Sequence, residues 1–219
     1  MKKLFMMILF TMTAFANIGT VMAISGEAQV TRDAKTLKVT NGMDVQKGDE
    51  IITQLKTKVQ VMLNDNTTIT IGPKSSFSFL DYYYDGSKKS RLSMQATRGF
   101  FRSVTGKIGK LAPERFKVKT NLATIGVRGT DFSALLRENH AFYKCHSGEI
   151  TVSFGDRIKA LEAGEQLQLQ LDGAKVKEKS KSKSGAALSP SNASTFESVN
   201  IEDITDRTQD IQDVKFNCQ

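Results

Sequence analysis

Short apolar runs recur at about ten-residue spacing from residue 25 to about residue 171, and each alternates with period two. Ala28-Gln-Val30, Leu37-Lys-Val39, Val59 to Leu63, Ile69 with Ile71, and Phe77 with Phe79 are the first of them. Leu92 to Ala96, Phe100 to Val104, Phe116 to Lys119, Ala123 to Val127 and Phe132 to Leu136 follow. Ala141 to Cys145, Ile150 to Phe154, Ile158 to Leu161 and Gln166 to Leu171 complete the series. Successive strand side chains point to opposite faces, so each run has one face to bury. No helical period interrupts them. Such a chain is all-β, a solenoid-like or sandwich-like domain of many short strands.

The punctuation agrees. Asn64-Asp65-Asn66 and Asp85-Gly86 suit tight hairpin turns, because these residues tolerate positive φ. Gly72-Pro73 ends a strand, since Pro cannot donate to a ladder. Ser25-Gly26-Glu27-Ala28-Gln29-Val30 is echoed by Ser147-Gly148-Glu149-Ile150-Thr151-Val152. Two copies do not make a repeat array, but they suggest related strand pairs at both ends of the domain.

The ends differ from the middle. Lys2 and Lys3 precede an apolar stretch from Leu4 to Phe15, and Val21-Met22-Ala23 offers a small-residue cleavage pattern. This predicts a signal peptide over 1–23, with Ala14-Phe15-Ala16 as a second possible site. A spanning helix needs roughly 20 apolar residues, so no stable transmembrane anchor is expected after cleavage. The expected location is periplasmic or secreted. The β-domain then covers 24–172. A Lys/Ser-rich linker, 173–195, lacks aromatics and any apolar period, and reads as a flexible solvated spacer. An acidic tail, 196–219, carries a net charge of −4 and fits a short helix only loosely.

Export implies an oxidising compartment, which makes a Cys145–Cys218 disulfide possible. Closing a loop of roughly 74 residues would stabilise by about 4 kcal/mol in the chain-entropy description. The net charge of +8 suits an envelope protein facing anionic polymers. No basic helix or aromatic-plus-basic platform supports nucleic-acid binding.

One segment resembles a site. In Ala123-Thr-Ile-Gly126-Val-Arg128-Gly129-Thr130-Asp131-Phe132, odd-numbered residues are apolar before the Arg and even-numbered ones after it. If both sets face one core, the phase slips once between them, as a β-bulge or corner allows. Gly129 suits such a position. Arg128 and Asp131 are then expected to pair and fasten the corner. The alternative role for Arg128 is a clamp on a ligand carboxylate or phosphate.

These residues, with Phe116-Lys-Val-Lys-Thr120 before them, resemble the central signature of FecR-type periplasmic domains. Gly48-Asp-Glu-Ile51, Val59 to Leu63, Asp65-Asn-Thr67 and Ile69 to Ser76 resemble that family's opening segment, with Asp-Asn-Thr where Asp-Gly-Ser is usual. The resemblance implies an all-β domain that works by protein contacts. Its best-known members are inner-membrane regulators with a cytoplasmic anti-sigma segment. Here only Met1 to Lys3 precede the apolar stretch, so the expectation is a stand-alone exported member without that segment.

Catalytic patterns are weak. His140, Cys145 and His146 lack a standard zinc spacing. No nucleophile elbow or phosphate loop is present. No cofactor is expected. Tyr82, Tyr83 and Tyr84 could stack on sugar or peptide, although at most two of them can share a face. The reading is a non-catalytic module that binds an envelope protein or polymer in sensing or assembly. The alternative is a structural or adhesive module held to anionic surface polymers by its basic linker.

Overall fold

A computed structural model describes residues 17–172 and 175–178. Fifteen strands are described. The first eight are β1 (Asn17–Ser25), β2 (Ala28–Arg32), β3 (Lys35–Lys38), β4 (Asp44–Gln46), β5 (Glu50–Thr53), β6 (Lys58–Leu63), β7 (Thr68–Ile71) and β8 (Ser76–Tyr83). The rest are β9 (Arg91–Val104), β10 (Phe116–Lys119), β11 (Thr124–Leu136), β12 (His140–Phe154), β13 (Arg157–Glu162), β14 (Gln166–Asp172) and β15 (Lys175–Glu178). One short helix, α1 (Lys107–Leu111), and a 3-10 turn, Pro113–Arg115, lie between β9 and β10.

The strands form one hydrogen-bonded sheet that folds over on itself. One half runs β3-β2-β5-β8, then the first part of β9, β10, the first part of β11, the second part of β12, and β13. The other runs β4-β1-β6-β7, then the second part of β9, the second part of β11, the first part of β12, β14 and β15. Three long strands therefore belong to both halves and change partners midway. The β1–β2 path crosses in the same manner. Each crossing carries a glycine at positive φ: Gly26 (87°), Gly99 (84°), Gly129 (63°) and Gly148 (75°). The echo between residues 25–30 and 147–152 thus marks two of four equivalent crossings.

The core lies between the halves. Phe77 of one half meets Phe101 of the other edge-on at 5.3 Å, and Phe101 meets Phe132 at 5.9 Å. Such aromatic pairs contribute about 0.5–1.5 kcal/mol beyond the area they bury. Tyr143 is fully buried and its hydroxyl lies 2.7 Å from Thr120 Oγ1. Burial pushes the Tyr143 phenol up to about 12. The parallel β9–β10 pairing needs a crossover, which α1 and the 3-10 turn supply.

Two of the expected terminal segments contain strands. β1 begins at Asn17, inside the segment expected to be removed, and the Ala23 boundary falls within it. Ile18 and Val21 are buried there. An apolar strand and the end of a leader share one composition, so alternation alone does not separate them. β15 occupies 175–178 within the expected linker, pairing with β14 from Asp172↔Lys175 to Leu169↔Glu178. Its alternating Lys-Val-Lys-Glu looked like a charge run because only Val176 packs against the core. The rest of the linker and the acidic tail lie outside the described residues.

Candidate functional site

At the signature corner, burial changes phase as the alternation requires. Ile125 and Val127 are buried, Arg128 and Gly129 are both exposed, and Thr130 and Phe132 are buried again. The β11–β12 register shifts between Arg128 and Asp131. Thr130 N–H donates to Thr105 Oγ1 at 2.7 Å, and Thr105 N–H donates to the Thr130 carbonyl at 2.9 Å. Gly148 packs against the bulge so closely that a Cβ there would lie 2.3 Å from the Gly129 carbonyl oxygen.

The fastening expected between Arg128 and Asp131 is not what forms. Asp131 accepts two hydrogen bonds from Arg102, Nε at 2.9 Å and Nη2 at 2.6 Å. Both side chains are largely covered, at 16% and 17% exposure. Hydrogen bonding to Asp131 raises the Arg102 pKa despite partial burial. Arg128 and Asp131 fall on different strokes of the bulge, so nearness in sequence does not bring them together. Arg128 has no ion pair among the described residues.

The opening-segment residues are also fasteners. Asp65 Oδ2 accepts from Thr67 Oγ1 at 2.7 Å and from the Ile108 N–H at 3.1 Å, tying the β6–β7 turn to α1. Asp49 is fully buried and held by Arg32 at 2.7 and 2.6 Å. Ser75 receives the Phe100 N–H on its Oγ at 3.0 Å, and its own N–H donates to Thr53 Oγ1 at 2.8 Å. Lys74, at φ 51°, donates its N–H to the Gln54 carbonyl at 3.2 Å. The Gly72-Pro-Lys-Ser75 turn is therefore locked to both halves.

That turn forms one wall of a cleft of about 680 Å³ at one end of the fold. Leu55 and Gln54 come from the β5–β6 turn, Pro73 and Lys74 from the β7–β8 turn, and Arg98 from the bend in β9. Leu135, Leu136 and Arg137 come from the end of β11. Leu55 is 66% exposed. Lys74, Arg98 and Arg137 are exposed, and none has an ion pair among the described residues. The site combines three exposed cations, unpaired among the described residues, with the exposed Leu55. Sequence reading missed it because its parts stand far apart in the chain and join only at one end of the sheet. The sole local signal was Lys74, inside the Gly-Pro-x-Ser turn.

The other candidates do not come together. Tyr82 and Tyr84 pack half-buried against the core, whereas Tyr83 faces outward, under Arg91 at 5.1 Å. Tyr83 is therefore set apart from the other two rings, and the three form no common surface. Cys145 is fully buried and His146 lies on the opposite face of β12. No cluster able to hold a metal occurs among the described residues. Cys218 lies outside them. His146 Nε2 is 2.9 Å from Ser133 Oγ, a pairing the sequence did not suggest. Ser133 is 1% exposed and the nearby Asp131 is engaged by Arg102, so the arrangement offers a substrate no approach.

The family model described as FecR protein matches residues 49–151, and this segment is a FecR domain. The match runs from Asp49, before β5, into the last third of β12, so the sheet continues beyond it on both sides. Two crystal structures from Parabacteroides distasonis ATCC 8503, each of a protein inferred to be an anti-sigma factor, are similar in fold. They share 16% and 17% identity with TM-scores of 0.48 and 0.47, and each alignment covers 61% of this chain and 60% of the other. The chain thus spans 60% of the length of those solved chains. No curated protein matches the sequence. No described helix is long and apolar enough to cross a membrane.

Proposed function

We propose that this FecR-domain protein is an exported, non-catalytic sensing or signalling module whose cleft takes an acidic, apolar-bearing segment of an envelope partner protein. The single observation that carries this reading is that Lys74, Arg98 and Arg137 line one cleft with Leu55, none of them in an ion pair among the described residues. The remaining signature carboxylates are occupied: Asp49 by Arg32, Asp131 by Arg102. Charge that is left free at a preorganised concave site is suited to recognition. Each exposed ion pair contributes about 0.2–1 kcal/mol. Apolar contact with Leu55, Pro73 and Leu135 supplies the remainder, so the complex is salt-sensitive and transient.

The test is a photo-crosslinking residue at Leu55 in intact cells of the exporting bacterium. One discrete protein adduct is expected, carrying an acidic segment at the linked site, and Arg98→Glu with Arg137→Glu should abolish it. An adduct that survives both charge reversals would remove the reading.

A further inference from the structure

We infer that the chain is processed between Ala16 and Asn17. The inference rests on the export reading above, and it relocates the cut by seven residues from the expected Ala23 boundary.

The argument starts from β1. Gly19 to Ser25 pair with β6 from Gly19↔Leu63 to Ser25↔Lys58, and Asn17 to Thr20 pair with β4. Among the described residues β4 has no strand partner except β1. Ile18 and Val21 are 3% and 1% exposed. Gly19 sits so close to Leu63 that a Cβ would be 2.8 Å from the Leu63 Cα. Hydrolysis after Ala23 would remove both buried side chains, strip the β6 edge and detach β4.

Asn17 is anchored by three hydrogen bonds. Its side chain donates to Asp44 Oδ1 at 2.7 Å and accepts the Gly19 N–H at 2.8 Å, and its carbonyl accepts from Asn64 Nδ2 at 2.8 Å. The three residues before it are Ala14-Phe15-Ala16, the small-x-small pattern that a leader peptidase accepts. The preceding Leu4 to Thr13 supply the apolar region between the Lys pair and that pattern. Water attacks the Ala16 carbonyl and the C–N bond to Asn17 breaks. The water's hydroxyl stays on Ala16 and one proton goes to the departing nitrogen of Asn17; the new acid then gives up its own proton, leaving a carboxylate on Ala16 and an α-ammonium on Asn17.

Two measurements test this with the full-length gene. The exported protein should begin Asn-Ile-Gly-Thr by intact mass and N-terminal sequencing, and Ala16→Lys should block processing while Ala23→Lys leaves it unchanged. A start at Ile24 would overturn the inference and leave export intact. A chain that keeps Met1 in the cytosol would overturn both. Independently of export, chains expressed from Asn17 and from Ile24 should differ, the second melting more than about 10 °C lower. Equal melting would also overturn the inference.

Discussion

Asp131 is gripped by Arg102, 29 residues earlier, and not by Arg128, its near neighbour in the signature. The Val-Arg-Gly-Thr-Asp-Phe segment therefore does two separate jobs. Its Gly and Asp set a crossing between the halves of the sheet, while its Arg faces solvent. Substitutions should separate these roles. Arg128→Ala should change stability by no more than about 0.5 kcal/mol, as for an exposed surface residue. Arg102→Ala or Asp131→Ala should each cost about 1–3 kcal/mol, because each leaves a largely covered charged partner unsatisfied. Urea titrations of the single and double variants would show the coupling between Arg102 and Asp131, and near-zero coupling would contradict it.

The paired bulge at Gly129 and Gly148 predicts unequal costs. Both have positive φ, but a Cβ on Gly129 meets nothing within 4 Å, whereas one on Gly148 meets the Gly129 carbonyl at 2.3 Å. Gly129→Ala should cost about 1–2 kcal/mol from backbone strain alone. Gly148→Ala should cost above about 3 kcal/mol, since strain and a backbone clash combine. Thermal unfolding of the two variants checks the order.

Much of this fold was legible in the alternation of the chain. Each run from Ala28 to Leu171 overlaps a strand, with only Val39 and Ala123 falling just outside one, and the phase slip at Gly129 follows from the parity of Ile125 and Phe132. The fold-over was not legible, because a strand that crosses between two halves reads the same as two strands with a turn. Partner identity was also hidden. Which carboxylate meets Arg102 depends on the register of β9 against β11, a long-range choice. The cleft was least visible of all, since Leu55, Lys74, Arg98 and Arg137 belong to four different segments.

His146 makes stability pH-dependent. Burial lowers its pKa below the ordinary 6.5, with Asp131 opposing the shift and Arg102 and Lys144 reinforcing it. The folded protein thus favours neutral imidazole. This contribution is fully present above about pH 6.5, the unfolded value, and is lost as pH falls through the lower folded value. His146→Gln should flatten that part of the stability curve between pH 7 and 5. An unchanged pH slope in the variant would contradict the assignment.

Cys145 should resist modification in the native protein. It is fully buried, and burial pushes its thiol pKa up, so little thiolate is available. In a Cys218→Ser variant, a maleimide reagent should label Cys145 only after denaturant is added. Rapid labelling under native conditions would show that the β12 crossing opens readily.

The central claim is that recognition belongs to the cleft and not to the signature arginine. It is tested most directly by fluorescence anisotropy with a synthetic peptide of alternating Glu and Leu, at low and physiological salt. Arg98→Glu with Arg137→Glu should weaken binding at least tenfold while Arg128→Glu changes it less than twofold, with all variants folded. Loss of binding in Arg128→Glu, with binding retained in the cleft variant, would contradict the account.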